Sequence, residues 1–340
     1  MVAMAANSRA PAAIAELKAN GVGTVIGTVV NPAGLTHAKT VPLVRTEKFA
    51  DPGLGASPVW HVFAIDQVGI VVGDAVGVVG DQRIRIDLDA MRVLGDGLAW
   101  APGSFFGQDG TPDPYCSRGT LARMVDRLAT AGLEALVGHE LEFVLVGPDG
   151  ARLPSDMWAQ YGLAGVLEFE AFVRDVTEAA AASGVELEQL HPEYGANQFE
   201  ISLAPKAPVA AADQLVLMRI IVGRTSRKHG VRVSLSPVPF AGSVGSGAHQ
   251  HFSLRHTGVP LFSGGQGVRG MRPQAKPRWL DCSPGCPRRR VRCADRCCQG
   301  YGCSQAAGRA PGCAGAPRIA RRPSASSPRG QATLTARTSR

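Results

Sequence analysis

Apolar and polar positions alternate with a period of two in three separate stretches of the chain. They are Gly138-His139-Glu140-Leu141-Glu142-Phe143, Glu193-Tyr194-Gly195-Ala196-Asn197-Gln198-Phe199-Glu200 and Gly245-Ser246-Gly247-Ala248-His249-Gln250-His251-Phe252-Ser253. Residues two apart in a strand share a face, so Glu140 lies with Glu142, Gln198 with Glu200 and Ser202, and His249 with His251 and Ser253. The opposite faces carry Leu141 and Phe143, then Phe199, Ile201 and Leu203, then Phe252 and Leu254. The pattern predicts half-buried strands whose polar sides gather carboxylates and imidazoles, a candidate site for divalent cations.

Other segments follow the same logic. Gly23 to Val30 and His37 to Val44 read as a hairpin around Asn31-Pro32-Ala33-Gly34. Strands are also expected at Val59 to Ile65, Ile70 to Val79 and Ile84 to Val93, giving a small, mainly β region that ends near Pro102. Gly107 to Pro114 reads as a linker. Beyond it, Ser117 is placed to cap a helix through Leu121, Met124, Val125 and Leu128 that Gly132 ends. A strand is expected at Leu136 to Val146, and helices at Leu167 to Ser183 and Val209 to His229, stopped by Gly184 and Gly230. Helix and strand in this order define an α+β fold, with helices backing a sheet whose other face is polar.

Composition changes the picture at one place. The chain as a whole is 45% hydrophobic and 19% charged, as in ordinary globular proteins, with a formal net charge of +8. After residue 267 there are 16 Lys and Arg but only two acids, Asp281 and Asp295, so the preceding body is net acidic and the basic balance belongs to the tail. All eight His lie at or before His256, and seven of eight Cys lie from Cys282 to Cys313. The body, with Cys116 alone, reads as a reduced cytoplasmic protein. The Ala-rich start lacks a signal-peptide core, and Asp66 and Asp74 interrupt the apolar run from Val62 to Val79, so no membrane association is expected. The tail has no apolar face of either period, and disorder is the expectation there. Cys282/Cys286 and Cys293/Cys297 have a spacing zinc sites tolerate, but no patterned element surrounds them, and aromatic residues for nucleic-acid stacking are limited to Trp279 and Tyr301. Neither zinc nor nucleic acid is expected as a partner.

Taken together and in order, the three stretches resemble the glutamine synthetase family, including its γ-glutamyl-amine and polyamine ligase relatives. The resemblance runs from roughly Val25 to Gly265 and is carried by the paired glutamates, by His191-Pro192-Glu193 through Glu200, and by the histidine motif. It implies a β-grasp-like domain over 21–106 after an extension over 1–20, part of a catalytic α+β domain over 112–267, and a tail over 268–340. It also implies ATP-dependent joining of glutamate to ammonia or an amine through a γ-glutamyl phosphate, with Mg2+ or Mn2+, in ring-shaped homo-oligomers. By matching positions, Glu142, Glu193 and Glu200 would hold one ion, and Glu140 with His249 the ion nearer the ATP phosphates. His251 and Ser253, with Glu188 beside them, would lie along the nucleotide, and Gly245 would approach the glutamate substrate.

The chain departs from the family pattern in four places. Ala196-Asn197 stands where Pro-Gly is common, and Asn tolerates the left-handed backbone the turn needs. Val244 replaces an Asn that contacts glutamate, which puts the amino-acid substrate in question, and no Asp of the ammonia-using members is evident near Gly55-Ala56-Ser57, which leans toward an amine or an altered specificity. Glu200 is the last Glu, so no residue after Gly267 matches the later glutamate and arginines. A shift of reading frame near 267–271 is the expectation, with impaired activity. The alternative is a non-catalytic remnant that binds metal or pairs with an intact paralogue.

Overall fold

The computed structural model describes residues 10–66, 76–155, 157–267 and 270–275. A short helix, α1 (Ala10–Ala19), precedes a first sheet. Its strands are β1 (Thr24–Val30), β2 (Thr36–Pro42), β3 (Leu54–Ala56), β4 (Gln82–Ile86), β5 (Arg92–Gly95) and β6 (Leu98–Phe106). They run in the order β2-β1-β6-β4-β3, with β5 also on β6, and β1 and β6 are parallel while the other pairs are antiparallel. Asn31 fixes the first hairpin: its Oδ1 accepts from the N–H groups of Ala33 and Leu35, and its Nδ2 donates to the carbonyls of Trp60 and Phe63. Val25, Phe49, Ile84, Ala99 and Phe105 form the core of this sheet.

The second sheet is antiparallel throughout. It comprises β7 (Leu133–Val146), β8 (Leu187–Pro192), β9 (Gln198–Leu203), β10 (Arg232–Ser234), β11 (Ala248–His256) and β12 (Val259–Pro260), ordered β12-β11-β7-β9-β8 with β10 on β7. Three longer helices accompany it: α3 (Ser117–Thr130), α5 (Glu170–Ala182) and α6 (Pro208–Lys228), with α2 (Thr46–Ala50) and α4 (Leu163–Glu168) as shorter ones. Pro208 occupies the first turn of α6, where its missing N–H has no partner to lose, and Gly230 at φ 70° follows its end. Ala211, Leu217, Met218, Ile221 and Val222 of α6 recur on one face and are buried, as a helix lying on a sheet requires. They meet Phe172 and Val176 of α5 and the apolar sides of β7 and β9, with Phe143 and Phe199 stacked at 6.1 Å. Packing continues to Ala275, which is fully buried in a small cluster with Leu133 and Leu261.

Several expectations need correction. Val59 to Ile65 is not a strand: Pro58 at the first turn and Ser57 accepting from the Val59 N–H start a 3-10 turn over Pro58–His61. Ile84 to Val93 divides in two because the Asp87 carboxylate accepts from the N–H groups of Asp89 and Ala90, closing a turn that stops β4. Leu167 to Ser183 is likewise two helices, broken at Phe169, whose ring meets Phe199 edge-on at 5.7 Å. The cap of α3 is Cys116, whose Sγ accepts from the Gly119 N–H, and Ser117 is the first helical residue. Most of the strand expected at Ile70 to Val79, and the disorder expected of the tail beyond residue 275, lie outside the described residues.

Candidate active site

The register of β7, β9 and β11 gathers the polar sides of the three stretches. Glu140 is opposite His249 on one side and Ser202 on the other, and Glu142 is directly opposite Glu200. Two like charges facing each other across a strand pair destabilise a sheet unless something positive lies between them. His249 supplies part of that charge. Its Nδ1 is 2.9 Å from Glu140 Oε2, 3.7 Å from Glu200 Oε2 and 3.9 Å from Glu142 Oε1. That nitrogen is buried and, despite these neighbours, makes no hydrogen bond of acceptable geometry. Ligand atoms converging on a shared point, rather than on each other, give this kind of contact.

A second group forms next to the first. His191 Nε2 is 3.3 Å from Glu200 Oε1, and its Nδ1 is 3.7 Å from Glu193 Oε1. Two sets of three side chains therefore present ligand atoms within 4.8 Å of one another: Glu140, Glu200 and His249, and His191, Glu193 and Glu200. Glu200 belongs to both. Carboxylate and imidazole donors together suit a divalent cation. Glu142 belongs to neither set and is held from behind: the fully buried Gln198 donates through Nε2 to Glu142 Oε2 at 2.8 Å and to the Gly245 carbonyl at 3.0 Å. The Gln198 Oε1 accepts from the Gly195 N–H at 2.7 Å, so the amide orientation is determined. That turn is closed by Asn197 at φ 60°, and its side chain donates to the Leu153 carbonyl. The left-handed backbone expected at this Asn is present.

Charge is unevenly distributed over the site. Burial, and then repulsion from Glu200 and Glu193, push the Glu142 carboxyl above its ordinary range, against the Gly247 N–H. Burial also opposes the charge of Glu200, but the His249 and His191 rings outweigh it and hold its pKa low. Glu200, with Glu140 and Glu142 adding to it, raises His249 to about 9 against the effect of burial. A proton on this ring partly compensates the carboxylates, and a cation would take over that role.

A cavity of about 370 Å3 opens onto the acidic face, lined by Glu142, His191, Glu193, Glu200 and His249 together with Tyr161, Tyr194, Val244, Gly245 and Gly247. Of the residues named from the sequence, Glu142, Glu193, Glu200 and His249 line this cavity, while Glu140 meets them through His249 and His251 Nε2 lies 2.9 Å from Glu140 Oε1, both outside the lining. Gly245 lines the cavity, and a Cβ there would sit 3.0 Å from the Pro237 carbonyl of the chain itself. Ser253 lies further along β11, exposed opposite Leu136, and Glu188 is exposed in the irregularity of β8 between Leu187 and Gln189. Neither lines the cavity. His191, Gly247, Tyr161 and Tyr194 carried no role in the sequence reading. His191 could have been found, because it lies two residues before Glu193. Gly247 lies two before His249, and a Cβ there would come within 2.5 Å of Glu142 Oε1.

The polar side of the antiparallel sheet thus presents two overlapping carboxylate-imidazole groups with the spacing of cation ligands. Residues 114–276, a little under half of the chain, match the family model described as glutamine synthetase, catalytic domain. It is 38% identical over 275 residues to the γ-glutamylpolyamine synthetase GlnA3 of Streptomyces coelicolor, covering 79% of this chain and 59% of that protein. The glutamine synthetase of Pyrococcus abyssi is 30% identical over 192 residues, which are 55% of this chain and 43% of that enzyme. A solved glutamine synthase homologue superimposes with a TM-score of 0.68 at 30% identity, over 74% of this chain and 60% of the other. The chain thus spans about three-fifths or less of the length of these relatives.

Proposed function

We propose that this chain carries the cation-binding part of an ATP-dependent ligase that joins glutamate to an amine through a γ-glutamyl phosphate. The observation that carries the reading is the meeting of two ligand groups at Glu200, within a stretch that matches the family's catalytic domain. Glu140, Glu200 and His249 would hold one ion, and His191, Glu193 and Glu200 the other. Divalent ions there would offset the negative charge between the ATP phosphates and the attacking carboxylate. In the reaction, a γ-carboxylate oxygen of glutamate forms a bond to the terminal phosphorus of ATP and the bond to ADP breaks. The amine nitrogen then forms the bond to the acyl carbon, phosphate leaves, and the nitrogen gives up a proton. Residues 21–106 are read as the β-grasp-like domain and 112–267 as part of the catalytic domain, in a chain that acts in a ring of copies.

An amine is favoured over ammonia. Tyr161 and Tyr194 meet edge-on at 5.4 Å beside Glu193 at the cavity wall, a combination of aromatic faces and a carboxylate that attracts an alkylammonium group. The relative in Streptomyces coelicolor is a polyamine ligase by name.

Calorimetric titration with Mn2+, followed by single-turnover ADP formation with glutamate plus either ammonium or an aliphatic polyamine, tests both levels. Saturable Mn2+ binding that Glu200→Ala weakens by about a hundredfold, with ADP formation that needs glutamate and the polyamine, is the expected result. Absence of saturable Mn2+ binding would sink the reading. Metal binding without any ADP formation would turn it into that of a non-catalytic, metal-binding chain.

A further inference from the structure

A second cavity, of about 260 Å3, lies away from the acidic face, where α3 and α6 approach the first sheet. Its walls are largely apolar, with Trp100, Leu121 and Val216 among them. The Trp100 indole N–H is already used by Thr28 Oγ1 at 2.8 Å, which leaves the ring to act as a hydrophobic surface. Two guanidinium groups line the same cavity, and they differ sharply. Arg118 is saturated: it donates to both carboxylate oxygens of Asp213, at 3.0 Å from Nε and 2.9 Å from Nη2, and to Asp87 at 2.8 Å. Arg219 has no carboxylate partner among the described residues, and its Nε is buried without a hydrogen bond. Burial works against its charge. A guanidinium nitrogen buried without a hydrogen bond beside an apolar wall is unfavourable unless an acceptor completes it.

We propose that this cavity is a ligand site for a small carboxylate with an apolar body, its carboxylate received by Arg219 and its body seated against Trp100, Leu121 and Val216. The walls leave little to hold a strongly hydrated dianion, and Asp213 in the same lining disfavours a double charge. The volume is below the usual range for drug-sized ligands, so the ligand is small. The site is independent of the ligase reading, because it uses none of the residues of the acidic face.

Benzoate, its neutral counterpart benzamide, and inorganic phosphate serve as probes, with binding to the full chain followed by calorimetry and thermal melting. Benzoate is expected to bind saturably and raise the melting temperature, with benzamide weaker by about tenfold or more and phosphate unable to displace it. Arg219→Met should abolish benzoate binding while raising the melting temperature of the ligand-free chain, since it removes a half-buried charge whose Nε has no hydrogen bond. Leu121→Trp, which fills the cavity, should abolish benzoate binding and leave Mn2+ binding unchanged. The proposal fails if benzoate does not bind saturably, if benzamide binds as well, if phosphate competes at equal concentration, or if Arg219→Met retains benzoate binding. If Arg219→Met does not fold, Leu121→Trp and the benzoate-to-benzamide ratio still decide the matter.

Discussion

In the first sheet, several polar groups near the core meet complementary partners, although His37 Nε2 and His61 Nδ1 are buried without a hydrogen bond. Trp100 donates to Thr28, Asn31 closes its own hairpin, and His61, Gln82 and Asp113 form a chain of contacts beneath Phe105. The second sheet does the opposite, setting Glu142 across from Glu200 and bringing Glu140 and Glu193 close by. Both sheets have well-packed apolar sides. The difference shows that the acidic face is held in place by the core behind it, against its own repulsion, as the proposed cation site requires.

The sharpest way to break the comparison is to weaken that backing. Phe199 is fully buried between Glu200 and Gln198 in sequence, and it contacts Phe143, Trp158, Phe169 and Phe172. Phe199→Ala should lower unfolding free energy by about 4 kcal/mol, read from the denaturant midpoint, and weaken Mn2+ binding with it. Next in size, Thr28→Val in the first sheet leaves the Trp100 N–H buried without its acceptor. A loss of about 2 kcal/mol is expected, with Mn2+ affinity unchanged. The smallest change reverses the sign. Glu142→Gln removes one of the repelling charges, so the metal-free chain should become more stable at neutral pH by up to about 1 kcal/mol. Because burial raises the folded Glu142 pKa, the folded chain holds that proton more tightly than the unfolded one. Stability of the parent chain should therefore fall as pH rises from the ordinary glutamate range through the raised value, and that component should be absent in the Gln variant.

The faces of β7, β9 and β11 were legible because a period of two is local: nothing beyond neighbouring residues is needed to put Glu140 with Glu142 or His249 with His251. Which strands become neighbours is not local, and there the sequence was silent. Glu200 was assigned to one ligand set, and only the register of β8 against β9 brings His191 to it from the other side. Tyr161 reaches the cavity from a turn at φ 55°, far from any periodic segment. The helix break at Phe169 and the strand break at Asp87 were missed for a related reason. One aromatic contact or one side-chain turn outweighed the hydrophobic pattern that ran through them. The cap of α3 was misplaced by one residue because a thiol is an uncommon acceptor at that position.

Glu200 stands in both ligand groups, and a carboxylate has only one orientation at a time. In the proposed ligase, whatever fixed it for one ion would also decide how it met the other, so the two positions would form one thermodynamic unit in which each occupancy changed the affinity of the other by the same factor. The pair would then be a coupled device rather than two separate sinks for metal. Its set point would lie in the angle of a single side chain, anchored by Ile201 and Phe199 on the buried side of β9.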